Sequence, residues 1–182
     1  MPNRYQKAAF FPWPALLSLL LCVALLRTAS AEVNEALPPV NLPVFTDLHA
    51  VAAQARARHL PMLVMFSMDG CSYCTVVEED FLKPMLRSGD YKGRVIMGMV
   101  KLDSYSRIRD FGGKMVKVSD LAQRYGAPMT PTVIFVNPEG HELSPKLIGM
   151  TTVDFYGGYL DQGIDQSLHK MRPTNTAMPP SL

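Results

Sequence analysis

The chain has 182 residues, 48% hydrophobic and 19% charged, an ordinary balance for one folded domain with a sizeable core. Its 3 cysteines exclude a disulfide-stapled mini-protein. The formal net charge is +2, but residues 1–31 hold Arg4, Lys7 and Arg27 and no acid. The remainder carries 15 Lys+Arg against 16 Asp+Glu, a net −1, which gives no electrostatic reason to expect a nucleic-acid partner.

Residues 1–31 read as an export signal. Arg4 and Lys7 give a positive start, Ala8 to Leu26 is apolar, and Ala29-Ser30-Ala31 has the small-x-small form of a cleavage site. Glu32 is the expected mature N-terminus. The alternative is an uncleaved anchor, since the nineteen residues from Ala8 to Leu26 nearly reach bilayer length. Pro12 and Pro14 leave Ala15 to Leu26 as the compact apolar segment, which is signal-peptide length. Cys22 lies inside it as an incidental residue.

Residues 32–43 contain Pro38, Pro39 and Pro43 and read as an extended lead-in. A single folded domain is expected over 44–171. Val44-Phe45 opens a short strand. Asp47 caps a helix running through about His59, which Pro61 stops. Met62 to Phe66 is apolar at every position, as a central strand between helix layers should be. Asp69-Gly70 breaks it, and Cys71-Ser72-Tyr73-Cys74 follows at the start of a helical pattern. Val76, Val77, Phe81, Leu82 and Met85 continue that pattern to about Leu86, with Pro84 expected to kink or split it.

Ser88–Arg94 is a polar turn, and Val95–Leu102 a second buried strand. Asp103 to Val118 reads as an irregular insertion. Ser119 is expected to cap a short helix through Tyr125. Thr132–Val136 is a strand, Asn137-Pro138-Glu139-Gly140 a turn, and Lys146–Ile148 an antiparallel return. A closing helix spans Thr152 to about Met171, with Val153, Tyr156, Leu160, Ile164 and Leu168 on one face. Gly157, Gly158 and Gly163 count against its regularity. Residues 172–182, with three prolines, form a loose tail. The order implies an α/β fold, a mixed central sheet with helices on both faces.

Cys71-x-x-Cys74 after a buried strand, Asp110-Phe111-Gly112-Gly113-Lys114 in the insertion, and Thr130-Pro131-Thr132 before a later strand resemble the thioredoxin-like superfamily in order and spacing. The chain is most similar to exported bacterial members: SoxW-type periplasmic thioredoxins and the catalytic domains of DsbC-like disulfide isomerases. The resemblance covers about Val44 to Met171. It implies a thioredoxin-like fold, a Cys71–Cys74 redox disulfide, a cis peptide bond at Pro131 and a periplasmic location. Two positions depart from the family pattern. Met65 stands where many thioredoxins carry a buried acid, and Gly70 where they carry Trp.

Disulfide exchange needs a thiolate, and a helix N-terminus favours one. Cys71 is the expected nucleophile and Cys74, one turn on, the resolving cysteine. Thr130 and Pro131 are the expected substrate contacts, with a plain turn residue as the alternative for Thr130. Ser72-Tyr73 places no cation beside Cys71, and an ionised Asp69 would oppose the thiolate. Both favour a reductase or isomerase over a strong oxidase. Met68 and Met129 are expected as core filler, with an apolar rim for substrate as the alternative; Glu78 and Glu79 are expected as a solvated helix face, and His49, His59, His141 and His169 as surface or structural residues.

The leading function is an exported thiol–disulfide oxidoreductase. It acts on disulfides of other exported proteins, takes electrons from a membrane donor, and uses no cofactor. The alternatives are a copper-binding module, with Cys71 and Cys74 beside Met68 or Met129, and a disulfide isomerase. An isomerase needs paired domains. The stretch from Glu32 to Val44 leaves no room for a dimerisation domain, so a monomer is expected.

Overall fold

The apolar run Met62–Ser67 forms strand β1, and all six of its residues are buried. A strand covered on both faces sends alternate side chains into two cores. Met62, Val64 and Phe66 pack with Leu48, Ala52 and Ala55 of helix α1 (Leu48–Arg58). Leu63 and Met65 belong to the other core, with Val77, Leu82, Tyr156, Leu160 and Ile164. The computed structural model describes residues 39–103, 107–150 and 152–172, all within the unit Pro38–Leu182. The expected signal segment 1–31, most of the lead-in and the tail beyond Arg172 lie outside the described residues.

Helix α1 begins as its sequence requires. The Asp47 carboxylate accepts from the Ala50 amide at 2.8 Å, and His59 ends the helix in a left-handed conformation. The main sheet has the order β2-β1-β5-β6, with β2 at Ile96–Lys101, β5 at Thr132–Val136 and β6 at Glu142–Ile148. Strand β1 runs parallel to β2 and antiparallel to β5. Its register sets Ser67 opposite Lys101 and Phe66 opposite Thr132. The segments leaving β1 and entering β5 therefore meet at one end of the sheet, where parallel α/β sheets commonly carry their sites. Val44 adds one bridge to Met99 on the outer side of β2.

After Cys71 the chain is helical to Ser88, in three parts. Helix α2 (Ser72–Val76) passes into a π turn (Val77–Leu82) and then helix α3 (Lys83–Ser88). The expected break at Pro84 takes this form. Proline offers no amide to the carbonyl four residues back, and the wider π register precedes it, with the Lys83 amide bonding the Glu78 carbonyl.

Two expectations are corrected. The insertion 103–118 is not irregular throughout. Strands β3 (Arg107–Arg109) and β4 (Met115–Lys117) pair antiparallel around an Asp110–Lys114 turn. Each strand is 3 residues long, too short for an alternating pattern to register. Helix α4 (Val118–Arg124) starts two residues earlier than expected, with Lys117 at the cap position, and Ser119 bonds Asp120 instead of capping it.

Strand β6 is longer than Lys146–Ile148 and reaches back to Glu142. Helix α5 (Val153–Met171) closes the fold, burying Tyr156, Leu160, Gly163 and Ile164. Gly163 belongs to this buried face because a Cβ there would lie 2.3 Å from the Phe135 ring. Val153, expected on the buried face, is instead 50% exposed.

Candidate active site

The turn after β1 delivers Cys71. Gly70 adopts φ +73°, a conformation that side chains resist, and so suits the bend where relatives would carry a Trp. Cys71 then sits as the N-cap of the helical run, with extended backbone. Its carbonyl accepts from the Thr75 amide at 3.1 Å, and its sulfur accepts from the Cys74 amide at 3.1 Å. The first-turn amides of a helix lack intrahelical partners, and one of them is thus aimed at the sulfur that must carry charge.

Cys71 and Cys74 form a disulfide with an S–S distance of 2.06 Å and Cα atoms 5.2 Å apart. Their environments differ. Cys74 is 3% exposed, whereas Cys71 is partly open to solvent and Ser72 and Tyr73 between them are exposed.

The second half comes from the loop before β5. The Thr130–Pro131 peptide bond is cis. Pro131 is buried, and its carbonyl accepts from the Gly149 amide at 2.8 Å. The Thr130 hydroxyl lies 3.5 Å from the Cys71 sulfur. Thr132 Oγ1 donates to the Met129 carbonyl at 2.7 Å and holds the loop to the start of the strand. Residues 59 positions apart in sequence therefore share one surface.

The charges around the loop depart from expectation. Asp69 does not face Cys71 as an unpaired anion. Lys101 Nζ approaches Asp69 Oδ1 at 2.5 Å, and the Asp69 amide donates to Asp103 Oδ2 at 2.7 Å. The hydrogen bond to Asp69 is the main cause that pushes the Lys101 ammonium above its ordinary range, against partial burial. Sequence reasoning passed over Lys101. Its one signal was a lone cation ending the apolar run Val95–Leu102, at the end of a strand parallel to β1.

Met65 is fully buried in the second core, so the position of the family acid holds no ionisable group. Met68 and Met129 are not core filler. They are 44% and 55% exposed, because each lies in a loop beyond the sheet edge. Glu78 and Glu79 lie on the wetter side of the helical run and pair with Lys83 at 3.1 and 2.6 Å. His49 Nδ1 meets the Phe111 carbonyl at 3.0 Å, and His59 is a helix cap. Among the described residues no cluster of three or more His, Cys, Asp or Glu is placed to hold a metal ion.

The Thioredoxin-like domain family matches residues 48–164, which includes the strand, the cysteine pair and the Thr130-Pro131 loop. The chain belongs to the thioredoxin-like domain family. With a Cys-x-x-Cys pair in disulfide geometry at the start of a helix, this thioredoxin-like protein is a thiol–disulfide oxidoreductase.

Among solved structures it is similar to a thioredoxin from Nicotiana alata, at 16% identity and TM-score 0.47, over 71% of this chain and 98% of the other. Mitochondrial thioredoxin 3 from Saccharomyces cerevisiae matches at 17% and 0.46, over 68% and 93%. The germline-specific thioredoxin Deadhead from Drosophila melanogaster matches at 15% and 0.48, over 66% and 98%. No curated protein sequence matches the thioredoxin-like chain.

Proposed function

We propose that the protein is an exported reductase of protein disulfides, with Cys71 as nucleophile and Cys74 as resolving cysteine. One asymmetry carries the reading: Cys71 is partly open at the helix start, while Cys74 is 3% exposed behind it. An incoming disulfide reaches the first sulfur and not the second.

In the reduced protein the Cys71 thiolate attacks one sulfur of a substrate disulfide. The substrate S–S bond breaks, a Cys71–substrate bond forms, and the other substrate sulfur leaves as a thiolate that takes a proton. Cys74 loses its proton and attacks the Cys71 sulfur. The mixed disulfide breaks, the Cys71–Cys74 bond forms, and the substrate departs with two electrons and two protons gained. A dithiol donor at the membrane returns the pair to the reduced state, since no soluble reductant pool is expected outside the cytosol. Thr130 and Pro131 flank the attacked sulfur and contact the substrate.

The direction follows from what stands beside Cys71. Strong oxidants stabilise their reduced form by charge next to the thiolate. Here the intervening pair is Ser72-Tyr73, with no cation, and Lys101 is already paired with Asp69. The helix amide is then the main support for the thiolate, and that favours a reductant.

The test is insulin reduction by the purified protein with a dithiol as terminal donor. The wild type should exceed Cys71→Ala by orders of magnitude, and equal rates would end the proposal. Equilibration of the pair against glutathione should give a potential on the thioredoxin side of the scale.

A further inference from the structure

Two exposed thioethers lie on the loops beside the cysteine pair, and neither core uses them. Met68 and Met129 are 44% and 55% exposed, whereas Met62, Met65, Met97 and Met99 are buried in the sheet. Met68 follows β1 and stands three residues before Cys71. The Met129 carbonyl accepts from the Thr132 hydroxyl at 2.7 Å, and the next residue, Thr130, has its hydroxyl 3.5 Å from the Cys71 sulfur. The β1–β5 register sets Phe66 opposite Thr132. Carried two residues past the strand end, the same antiparallel count brings Met68 alongside Thr130. Both methionines therefore belong to the backbone that flanks Cys71.

Two cysteines and two thioethers are thus gathered at one end of the sheet, and the set is chemically soft. Thiolate and thioether together suit Cu(I), whereas Zn(II) completes a four-coordinate site with imidazole, carboxylate or further thiolates. Among the described residues no three His, Cys, Asp or Glu gather to supply such a set. Asp69, two residues before Cys71, is held by Lys101 at 2.5 Å. Cu(I) is satisfied by two or three soft donors. The cysteines, with Cα atoms 5.2 Å apart, can grip one ion between their sulfurs once the pair is reduced. Cys71 is partly open and gives the ion its entry, while Cys74, 3% exposed, closes the second bond from behind.

We propose that the reduced Cys71–Cys74 pair is also a Cu(I) site, with the Met129 thioether as third ligand and Met68 beside it. On binding, Cu(I) replaces both thiol protons, which pass to solvent. Two copper–thiolate bonds form, and no electron is transferred. The oxidised pair has no thiolate to offer and does not bind. A bound ion occupies the sulfurs that attack a substrate disulfide, so copper loading and disulfide exchange exclude each other. The site goes beyond the reductase reading and does not depend on it, because a chemical reductant prepares the same dithiol.

The experiment titrates Cu(I) anaerobically into protein reduced with a phosphine that is then removed, against the chromophoric chelator bicinchoninate. The reduced wild type should take one Cu(I) per chain from the chelator, and both thiols should disappear from thiol titration. The oxidised wild type should take none, and one equivalent of Zn(II) should leave the thiols of the reduced protein reactive. Met68→Leu/Met129→Leu keeps both cysteines and removes both thioethers, so that Met68 does not stand in for Met129. Its Cu(I) affinity should fall at least about tenfold. X-ray absorption should find three sulfur neighbours of copper in the wild type and two in the variant. Both methionines are exposed, and thermal melting confirms that the variant folds.

A reduced wild type that leaves the copper with the chelator overturns the proposal. An affinity and a sulfur count unchanged in the double variant overturn it too, since the pair then acts without a thioether. Zn(II) that protects the thiols as fully as Cu(I) overturns it as well. A protein that binds Cu(I) as expected but reduces insulin no faster than Cys71→Ala keeps this site and loses the reductase reading.

Discussion

Lys101 Nζ lies 2.5 Å from Asp69 Oδ1, across the loop that leads into Cys71. The pairing joins the C-terminal ends of two parallel strands, because the register sets Ser67 beside Lys101. It places a cation where the anion two residues before the nucleophile would otherwise act alone. Asp103 takes the Asp69 amide, so the loop is held by backbone as well as by charge.

Removing the cation should therefore be felt at the thiol. Lys101→Met leaves Asp69 unopposed, and the pH midpoint of Cys71 alkylation should rise. The Asp69 side chain is 69% exposed, so solvent screening keeps the rise small. Adding Asp69→Asn should bring the midpoint back. A midpoint that stays put in Lys101→Met would show that the pair has no electrostatic hold on Cys71.

The Thr130 hydroxyl tests the other half of the site. It is a weak donor to sulfur at 3.5 Å, with no role in either core. Thr130→Val keeps the shape and removes the donor. Insulin reduction should slow by about 2- to 10-fold, the range of one net hydrogen bond. The melting temperature should hold, and a large drop in it would make Thr130 a structural residue instead.

The cysteine pair, the strand before it and the Thr130-Pro131 loop were legible in the sequence because each is local: an apolar run, a two-residue spacing, a proline before β-branched residues. Their meeting at one end of the sheet needed the resemblance to a known family. Lys101 was not legible, since a single lysine after an apolar strand reads the same whether it meets solvent or Asp69. The exposed methionines were misjudged for a related reason. Hydrophobic character predicts burial only inside an element, and Met68 and Met129 lie in loops past the sheet edge. On α5 the apolar residues outnumber one face, and both Val153 and Phe155 stay exposed while Tyr156, Leu160 and Ile164 fill the core.

Asp110 gives a pH prediction. Its side chain is 7% exposed, accepting from the Lys114 amide at 3.0 Å and from Arg124 at 3.1 Å. Burial alone would push the carboxyl up, but these two partners together outweigh it and hold it below its ordinary value. A carboxyl held low in the folded state adds stability that is complete above the unfolded range, near pH 4, and is lost as pH falls through the folded value. Asp110→Asn should cost about 1–3 kcal/mol at pH 7 and flatten the acid limb. Urea unfolding at pH 7 and pH 3 measures both, and an acid limb as steep as the wild type's would place the titration elsewhere.

Two glycines of α5 should respond with opposite signs to the same change. In a helix interior Gly→Ala ordinarily stabilises by up to about 1 kcal/mol, because alanine has less backbone freedom to lose. At Gly158 a Cβ meets nothing within 4 Å, so Gly158→Ala should gain about 0.5–1 kcal/mol. At Gly163 the Cβ would stand 2.3 Å from Phe135 Cζ and 2.5 Å from Cε2. Phe135 is 1% exposed in the central sheet, with Leu63, Val133 and Leu160 in the same core, and its ring has no free space to enter. Overpacking of that kind costs about 1–3 kcal/mol, which exceeds the helical gain. Gly163→Ala should therefore lower the unfolding midpoint while Gly158→Ala raises it, in the same urea titration. A Gly163→Ala protein at least as stable as the wild type would mean that α5 can lift off Phe135 at little cost, and that its packing against the sheet is looser than the buried stripe implies.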